Sequence, residues 1–381
     1  MFPTVKILSS GLSQQASKIS QTLGKFLVES RGSRRLDGES GKSSKALGRT
    51  SSLRDLALTK EQELLKTKLA CRPKPFWYPY ATLRNIPVLE RLLTRVGLDL
   101  LALCRGKYGR VADVGAADGD LAFFLEELGF SVDVIDYEYT NFNKFDGARI
   151  LKKALNSSVT IRSIDLDSRG QLFAERYDAV FLLGILYHLK NPFSMLGRLA
   201  HLTRYCFLST RIARQTADGS PLSKHPVAYL LAPQECNNDS TNFWIFSDTG
   251  LKRLIHRTGW NILAYTTIGD TNNSTPADPN HDERAFCVLE SRAMIGLSAV
   301  PNPVPVGEKV GQTIIRWNTA DAGPGQVYVC IDGKEELLFA GGCQGVATAN
   351  WIEEGRTYEF RLYDSDRTRL LDKISVTTAI Q

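Results

Sequence analysis

One segment combines acids and small residues in a spacing that suits a nucleoside ligand. It runs from Asp113 to Gly119, between a short apolar run and an amphipathic one that begins near Leu121. Glycine lets the backbone turn tightly and come close to a ligand, and a helix that begins there presents free N–H groups. Asp136 ends the next apolar run, where an acidic side chain can accept the hydroxyls of a ribose. The spacing therefore predicts a nucleoside-binding loop.

These residues resemble the first motif of class I S-adenosylmethionine-dependent methyltransferases, which is acid-x-Gly-x-Gly-x-Gly. Asp113, Gly115 and Gly119 match the motif, and Ala117 stands in place of its middle glycine. The family's acid at the end of the second strand matches Asp136. The resemblance implies that these five residues bind S-adenosyl-L-methionine as the cofactor.

The same family places a polar residue near the adenine, after the third strand. Asp165 is the matching position, and Asp167 is the competing assignment. The resemblance implies that one of these two carboxylates lies at the adenine end of the cofactor.

The segment after the predicted fourth strand resembles a narrower group, the tRNA wobble-uridine carboxymethyltransferases and their relatives. The resemblance covers about residues 60–293, and it implies that Gly184 and Tyr187 line the cofactor site. The residues that match the signature of the group are Gly184, Ile185, Leu186, Tyr187, His188 and Pro192.

In that group a lysine, a tyrosine and an arginine read the extra carboxylate of carboxy-S-adenosyl-L-methionine. The matching positions are Lys74, Tyr187 and Arg284, although the neighbours of Lys74 differ from the pattern. Two cations and a phenol can hold a carboxylate, but Tyr187 and Arg284 equally suit the pocket of an ordinary methyltransferase. Ordinary methyl transfer is the preferred interpretation, because a tRNA enzyme would display a basic surface that the folded part lacks.

His188 and Tyr187 are the candidate catalytic residues. A sulfonium methyl group is already activated, so the protein must chiefly position the acceptor and exclude water. A base is needed only where the acceptor keeps a proton, and His188 is the candidate for it. The alternatives are a histidine that fixes its loop through a backbone hydrogen bond, and a Tyr187 that packs in the core.

An aromatic segment precedes the sheet and offers candidate acceptor contacts. Trp77 and Tyr80, with Phe76 and Tyr78 beside them, can stack on a flat or sugar-like acceptor. Packing of this segment onto the sheet is the alternative. A second candidate on the acceptor side is the loop 242–244. No histidine has partners at metal-ligand spacing, so no metal site is predicted.

The elements that must position these residues alternate between strand and helix over residues 110–293. This pattern predicts an α/β fold with a doubly wound, Rossmann-like parallel sheet. A domain over residues 59–293 is expected, with Thr59 as the cap of its first helix and Ser247 or Asp248 as the cap of its last. Ligands of such sheets bind at the carboxyl ends of the strands.

Residues 294–381 change to short alternating strands, which predict a small all-β sandwich of immunoglobulin or fibronectin type. Asp332 and Gly333 form the expected turn of a hairpin. Five aromatic residues are assigned to the core of this domain and to its corners: Trp317, Tyr328, Phe339, Trp351 and Tyr358.

Charge and composition set the first 58 residues apart. The net charge of +6 lies entirely in this segment, which holds ten Lys and Arg and four acids, so the rest of the 381-residue chain is neutral. Its apolar residues recur at helical spacing between Val5 and Phe26, and residues 31–52 read as disordered. A transient helix is favoured, and contact with a membrane surface or a targeting segment is the alternative. No apolar run is long enough to span a membrane.

Together these patterns predict a cytoplasmic methyltransferase whose acceptor is unidentified, with a small molecule or a glycan as the guess and tRNA as the alternative partner. The seven scattered cysteines suit a reducing compartment. A non-catalytic scaffold that acts through the sandwich or the tail is the second class of function.

Overall fold

The computed structural model describes residues 52–71, 76–168, 172–173, 175–236, 238–305 and 310–378. The predicted amphipathic helix between Val5 and Phe26 and nearly all of the predicted disordered stretch lie outside the described residues. Lys74, a candidate ligand of a carboxylate, also lies outside them.

The helix at the start of the described part begins earlier than predicted. The side chain of Ser52 accepts a hydrogen bond from the backbone N–H of Asp55 at 3.2 Å and caps the helix. The predicted cap at Thr59 is therefore wrong, since its hydroxyl donates back to the carbonyl of Asp55 from inside the helix. Three helices and a 3₁₀ turn precede the sheet: α1 (Leu53–Ala70), the turn Thr82–Asn85, α2 (Ile86–Thr94) and α3 (Leu100–Cys104).

The central sheet has nine strands. Strands β1 to β5 and β7 are parallel, and they run in the order 3-2-1-4-5-7, with β6 on the outer edge. Strand β9 pairs antiparallel with β5 and β8. The strands are β1 (Arg110–Val114), β2 (Ser131–Asp136), β3 (Thr160–Ser163), β4 (Tyr177–Leu183), β5 (Thr203–Ala213), β6 (Ala228–Leu230), β7 (Trp244–Ser247), β8 (Trp260–Gly269) and β9 (Glu283–Ser291).

Helices cover both faces of the sheet, so the predicted doubly wound architecture is confirmed. Phe181 and Phe207 stack at 4.6 Å in the core of one face, and Trp260 is fully buried in the core of the other. Ser247 accepts from the N–H of Gly250 at 2.9 Å and is the cap of the last helix. These helices are α4 (Asp120–Glu127), α5 (Asp146–Ala154), α6 (Pro192–Leu199) and α7 (Asp248–Arg257).

Two antiparallel sheets follow and form the predicted small β-sandwich. One sheet has the order β10-β11-β14 and the other has the order β13-β12-β15-β16. Tyr328 points outward under the guanidinium of Arg367, not into the core as predicted. The strands are β10 (Gly296–Val300), β11 (Gly311–Asn318), β12 (Gly325–Ile331), β13 (Glu336–Gly342), β14 (Gln344–Ile352), β15 (Tyr358–Asp364) and β16 (Leu370–Val376).

The sandwich meets the nine-stranded sheet where the parallel strands begin. Asp372 accepts from the backbone N–H of Leu297 at 2.9 Å and from Lys107 Nζ at 2.8 Å. Arg204, at the start of β5, donates to the carbonyl of Leu297. The sandwich is thus held at the edge opposite the carboxyl ends of the strands. None of the helices in the described part of the chain has the length and apolar character needed to cross a bilayer.

Candidate functional site

The glycine loop joins β1 to α4 at the carboxyl end of the sheet. Gly115 has φ +73°, and a Cβ there would lie 2.9 Å from the side chain of Ile185, so both the conformation and the contact with the loop after β4 require glycine. Ala117 also takes a left-handed conformation, with φ +53°. The family's glycine is therefore replaced at a position where alanine is strained.

Asp136 ends β2 directly beside this loop. Its Oδ2 accepts from the backbone N–H of Ala117 at 3.2 Å and from Asn141 Nδ2 at 3.0 Å, and its Oδ1 accepts from the N–H of Tyr137 at 2.7 Å. A carboxylate offers about four acceptor positions, so one remains for a ribose hydroxyl. The residues present therefore fit a nucleoside cofactor, with Asp136 also shaping the loop.

Asp113 lies beneath the loop and is 3% exposed. Its Oδ2 is buried and has no hydrogen-bond partner among the described residues. Burial, reinforced by the charges of Asp136 and Asp120, raises the pKa of Asp113 to about 8. This carboxyl group is thus largely protonated at neutral pH.

Asp118 connects the loop to the segments that cover it. Its carboxylate accepts from Lys68 Nζ at 3.1 Å, from the N–H of Tyr78 at 2.9 Å and from Asn143 Nδ2 at 2.8 Å. These three donors come from α1, the aromatic segment and the loop after β2. One buried side chain therefore fixes three chain segments around the candidate cofactor site.

The aromatic segment lies across this end of the sheet. Tyr78 stacks on Phe142 at 5.5 Å, and its hydroxyl accepts from the N–H of Phe142 at 2.7 Å. Tyr80 is 42% exposed, and its ring lies 5.8 Å from that of Tyr78. Trp77 packs against the core under Lys68, whose Nζ is 5.4 Å from the ring. For Trp77 this agrees with the alternative that the aromatic segment packs onto the sheet. Contact of Trp77 or Tyr80 with an acceptor stays a prediction.

The two acids after β3 differ in what they bind. Asp167 accepts from the backbone N–H groups of Lys190 and Asn191 at 3.0 and 2.9 Å and so holds the turn before α6. Among the described residues, the Asp165 carboxylate accepts only from the N–H of Asp167, at 3.0 Å. Of the two competing assignments, Asp165 is the carboxylate with more acceptor capacity left for a ligand.

Gly184, Tyr187 and Arg284 come together after β4. A Cβ on Gly184 would lie 3.3 Å from Arg284 Nη1 and 3.7 Å from the Tyr187 hydroxyl, and the guanidinium lies 5.8 Å from the Tyr187 ring. Arg211, the register neighbour of Arg284, pairs with Asp282 at 2.5 Å. Among the described residues no ion pair includes Arg284. The cluster thus presents a cation and a phenol at the carboxyl end of β4.

His188 follows in a 3₁₀ turn and contacts the loop before β7. Its Nδ1 lies 3.1 Å from the carbonyl oxygen and 3.0 Å from the hydroxyl of Thr241. Burial lowers the pKa of His188, and Arg284 adds to that effect, while Asp239 and the bond to Thr241 oppose it. The ring is therefore neutral at physiological pH.

The loop 242–244 packs against the same turn. The N–H of Phe243 donates to the carbonyl of Tyr187 at 2.8 Å, and Trp244 Nε1 donates to the carbonyl of Lys190 at 3.3 Å. Asn242 is buried and donates to the carbonyl of Cys236. This loop supports the Tyr187–His188 turn, and its contact with an acceptor stays a prediction.

Sequence reasoning missed the partners that hold the site. Asp239 and Thr241 lie about fifty residues beyond His188, and Lys68 lies fifty residues before Asp118. No motif or spacing marks them, because the fold alone brings them together. Among the described residues, no three His, Cys, Asp or Glu side chains are grouped as a metal ion would need.

Part of the chain matches the model of a known family. The family model of a methyltransferase domain matches residues 83–265, which is just under half of the chain. No curated protein sequence matches the chain. This region therefore matches a methyltransferase domain in sequence, and its strand order is that of a Rossmann-like sheet.

Solved structures of other proteins are similar to this chain at low identity. The N-terminal domain of EvdMO1 with S-adenosylhomocysteine bound has a TM-score of 0.39 at 17% identity, and the match covers 62% of this chain and 97% of that domain. The [4+2]-cyclase SpnF has a TM-score of 0.38 at 10% identity, and the match covers 63% of this chain and 97% of the cyclase. A putative methyltransferase from Bacillus halodurans has a TM-score of 0.38 at 12% identity and covers 52% and 97%.

Proposed function

We propose that the chain is an S-adenosyl-L-methionine-dependent methyltransferase that transfers a methyl group by in-line displacement to a small molecule or a glycan. The observation that carries this proposal is the left-handed glycine loop beside Asp136, within a region that matches a methyltransferase domain. The cofactor, when bound, supplies an activated sulfonium methyl group. The chain then has to hold the cofactor and acceptor in line and exclude water.

The residues assigned to the cofactor surround the carboxyl ends of three neighbouring strands. Gly115, Ala117 and Gly119 shape the loop, Asp136 has an acceptor position for the ribose, and Asp165 has capacity left at the adenine end.

All seven cysteines are free, which supports a reducing, cytoplasmic location.

Calorimetric titration with S-adenosylhomocysteine tests the proposal. The native protein should bind it, and Asp136→Ala should weaken binding about 10- to 100-fold, the value of a hydrogen bond to a charged group. Glu138→Ala, which changes a half-buried neighbour paired with Arg149 at 3.1 Å, is the control and should bind normally. A protein that binds neither S-adenosylmethionine nor S-adenosylhomocysteine would favour the scaffold alternative.

Carboxymethyl transfer from carboxy-S-adenosyl-L-methionine to tRNA is the second candidate. It is favoured by one observation, the contact of Arg284 with Tyr187 without an ion-pair partner in the described part of the chain. If this candidate is right, the native protein prefers the carboxylated donor, and Arg284→Gln abolishes that preference while S-adenosylhomocysteine still binds. Equal affinity for the two donors would leave ordinary methyl transfer.

A further inference from the structure

A short relay of hydrogen bonds ends at the His188 ring. The hydroxyl of Thr241 donates to Asp239 Oδ1 at 2.7 Å, and the N–H of Thr241 donates to the same oxygen at 2.9 Å. The carbonyl and hydroxyl oxygens of Thr241 both lie within hydrogen-bond distance of His188 Nδ1. Asp239 therefore fixes Thr241, and Thr241 fixes the ring.

The relay determines where the imidazole proton lies. A carboxylate and a carbonyl oxygen only accept hydrogen bonds, so the single proton of the Thr241 hydroxyl goes to Asp239. Both oxygens of Thr241 then offer lone pairs to Nδ1. The neutral ring must carry its proton on Nδ1, which leaves the lone pair of Nε2 free.

Charges around the ring suit a base that is neutral at rest. Burial and the positive charge of Arg284 favour the neutral ring, and the carboxylate of Asp239 favours the protonated one. Tyr187 lies against the ring, with centroids 4.4 Å apart. A proton taken up by Nε2 is thus stabilised by Asp239 through Thr241.

We propose that Asp239 and Thr241 are positioning residues that hold His188 as a general base with a free Nε2, and that the acceptor group is a hydroxyl. The inference rests on the proposed methyl transfer. A hydroxyl is a weak nucleophile until a base takes its proton, whereas a thiolate or a neutral amine attacks through an available lone pair without a base. A fixed, neutral imidazole against Tyr187, at the carboxyl end of β4, therefore favours an oxygen acceptor.

With this assignment, the proton and both bonds that change in the methyl transfer are accounted for. His188 Nε2 takes the hydroxyl proton as the acceptor oxygen bonds to the methyl carbon, and the electron pair of the broken C–S bond stays on sulfur. His188 leaves the step as an imidazolium and returns its proton to solvent.

The first test reads the tautomer and needs no acceptor. The chain has five histidines, so ¹⁵N labelling of histidine gives few signals, and His188→Gln identifies that of His188. We expect a proton on Nδ1 in the native protein. A proton on Nε2 would overturn the proposal even where S-adenosylhomocysteine binds, so failure of the base is distinguishable from failure of the function.

Two variants separate positioning from mere support of the loop. Asp239→Asn should lower the titration midpoint of the His188 signal by roughly one pH unit, because a nearby carboxylate favours the charged ring. Thr241→Val should weaken the preference for the Nδ1 proton. Ser240→Ala changes an exposed neighbour and should alter neither. A His188 signal that is unchanged in both variants contradicts a positioning role.

The acceptor class is tested with labelled S-adenosylmethionine. The probes are monosaccharides, nucleosides and phenols, each beside its amine or thiol analogue. We expect label only on hydroxyl oxygen, and a loss of about 100-fold or more in His188→Gln. Transfer to nitrogen or sulfur that survives in His188→Gln overturns the proposal. Failure to label any hydroxyl probe, in a protein that binds the cofactor, also contradicts the proposal.

Discussion

Lys68 of α1 pairs with Asp118 of the glycine loop at 3.1 Å, fifty residues away in the sequence. The same ammonium group reaches Asp120 at 2.8 Å, and Asp118 is 2% exposed. Burial alone would lower the pKa of Lys68, but the two carboxylates outweigh burial and raise it. The helix that precedes the sheet is thus joined by an ion pair to the loop that would hold the cofactor.

Lys68→Met should destabilise the protein by about 3 kcal/mol, because it leaves the buried carboxylate of Asp118 without its cation. The free energy of unfolding, measured in urea, checks this. Lys66→Met removes an exposed lysine of the same helix and should change stability by less than about 0.5 kcal/mol. Equal effects of the two variants would show that the pair does not stabilise the fold.

Ala117→Gly should stabilise the protein by about 0.5–1 kcal/mol, since glycine takes the left-handed conformation without steric cost. Ala116→Gly is the matched control. Ala116 has no positive φ and is 5% exposed, so its replacement should destabilise by a similar amount. Thermal unfolding of the two variants should therefore shift in opposite directions, and shifts of the same sign would refute the strain at Ala117.

Asp113 should make the protein less stable as the pH rises. Its pKa is about 8 when folded and about 4 when unfolded, so the unfolded chain releases this proton first. Its contribution to stability is complete below pH 4 and is lost up to pH 8, at about 1.4 kcal/mol per pH unit. Asp113→Asn has no carboxyl group to titrate and does not lose this stability. We therefore expect the free energy of unfolding in urea to fall between pH 6 and pH 8 by more in the native protein than in the variant. An equal fall in both proteins would contradict the assignment.

Asp372→Ala should loosen the sandwich without affecting the cofactor site. The variant leaves the buried N–H of Leu297 without an acceptor, which costs about 2 kcal/mol. Limited proteolysis at the junction should become faster, whereas affinity for S-adenosylhomocysteine should not change, because the junction lies at the opposite edge of the sheet. Asp366→Ala, at an exposed turn, is the control. A loss of affinity in Asp372→Ala alone would mean that the two ends of the sheet are coupled.

The sequence predicted the fold well where local signals and burial agree. Alternating apolar runs and helices predicted the doubly wound, mainly parallel sheet, and the Asp332–Gly333 turn predicted the hairpin of β12 and β13. Strand β14 has no strand pattern of its own, because its residues between Gln344 and Ala349 are mostly small or polar and its pairing with β11 makes it a strand. The cap at Thr59 was wrong because a helix cap is decided by which hydroxyl meets a free N–H.

For the site, the sequence by itself determined the glycine loop, Asp136 at the end of β2, and the Tyr187–His188 turn after β4. These residues follow strands directly, so their place at the carboxyl edge is a consequence of chain order. Only the tertiary structure decided which partners they meet. Asp239 and Thr241 reach His188, and Lys68 reaches Asp118, through packing between distant segments. Chain order fixes the edge of a parallel sheet, whereas hydrogen bonds across it depend on how loops pack in space.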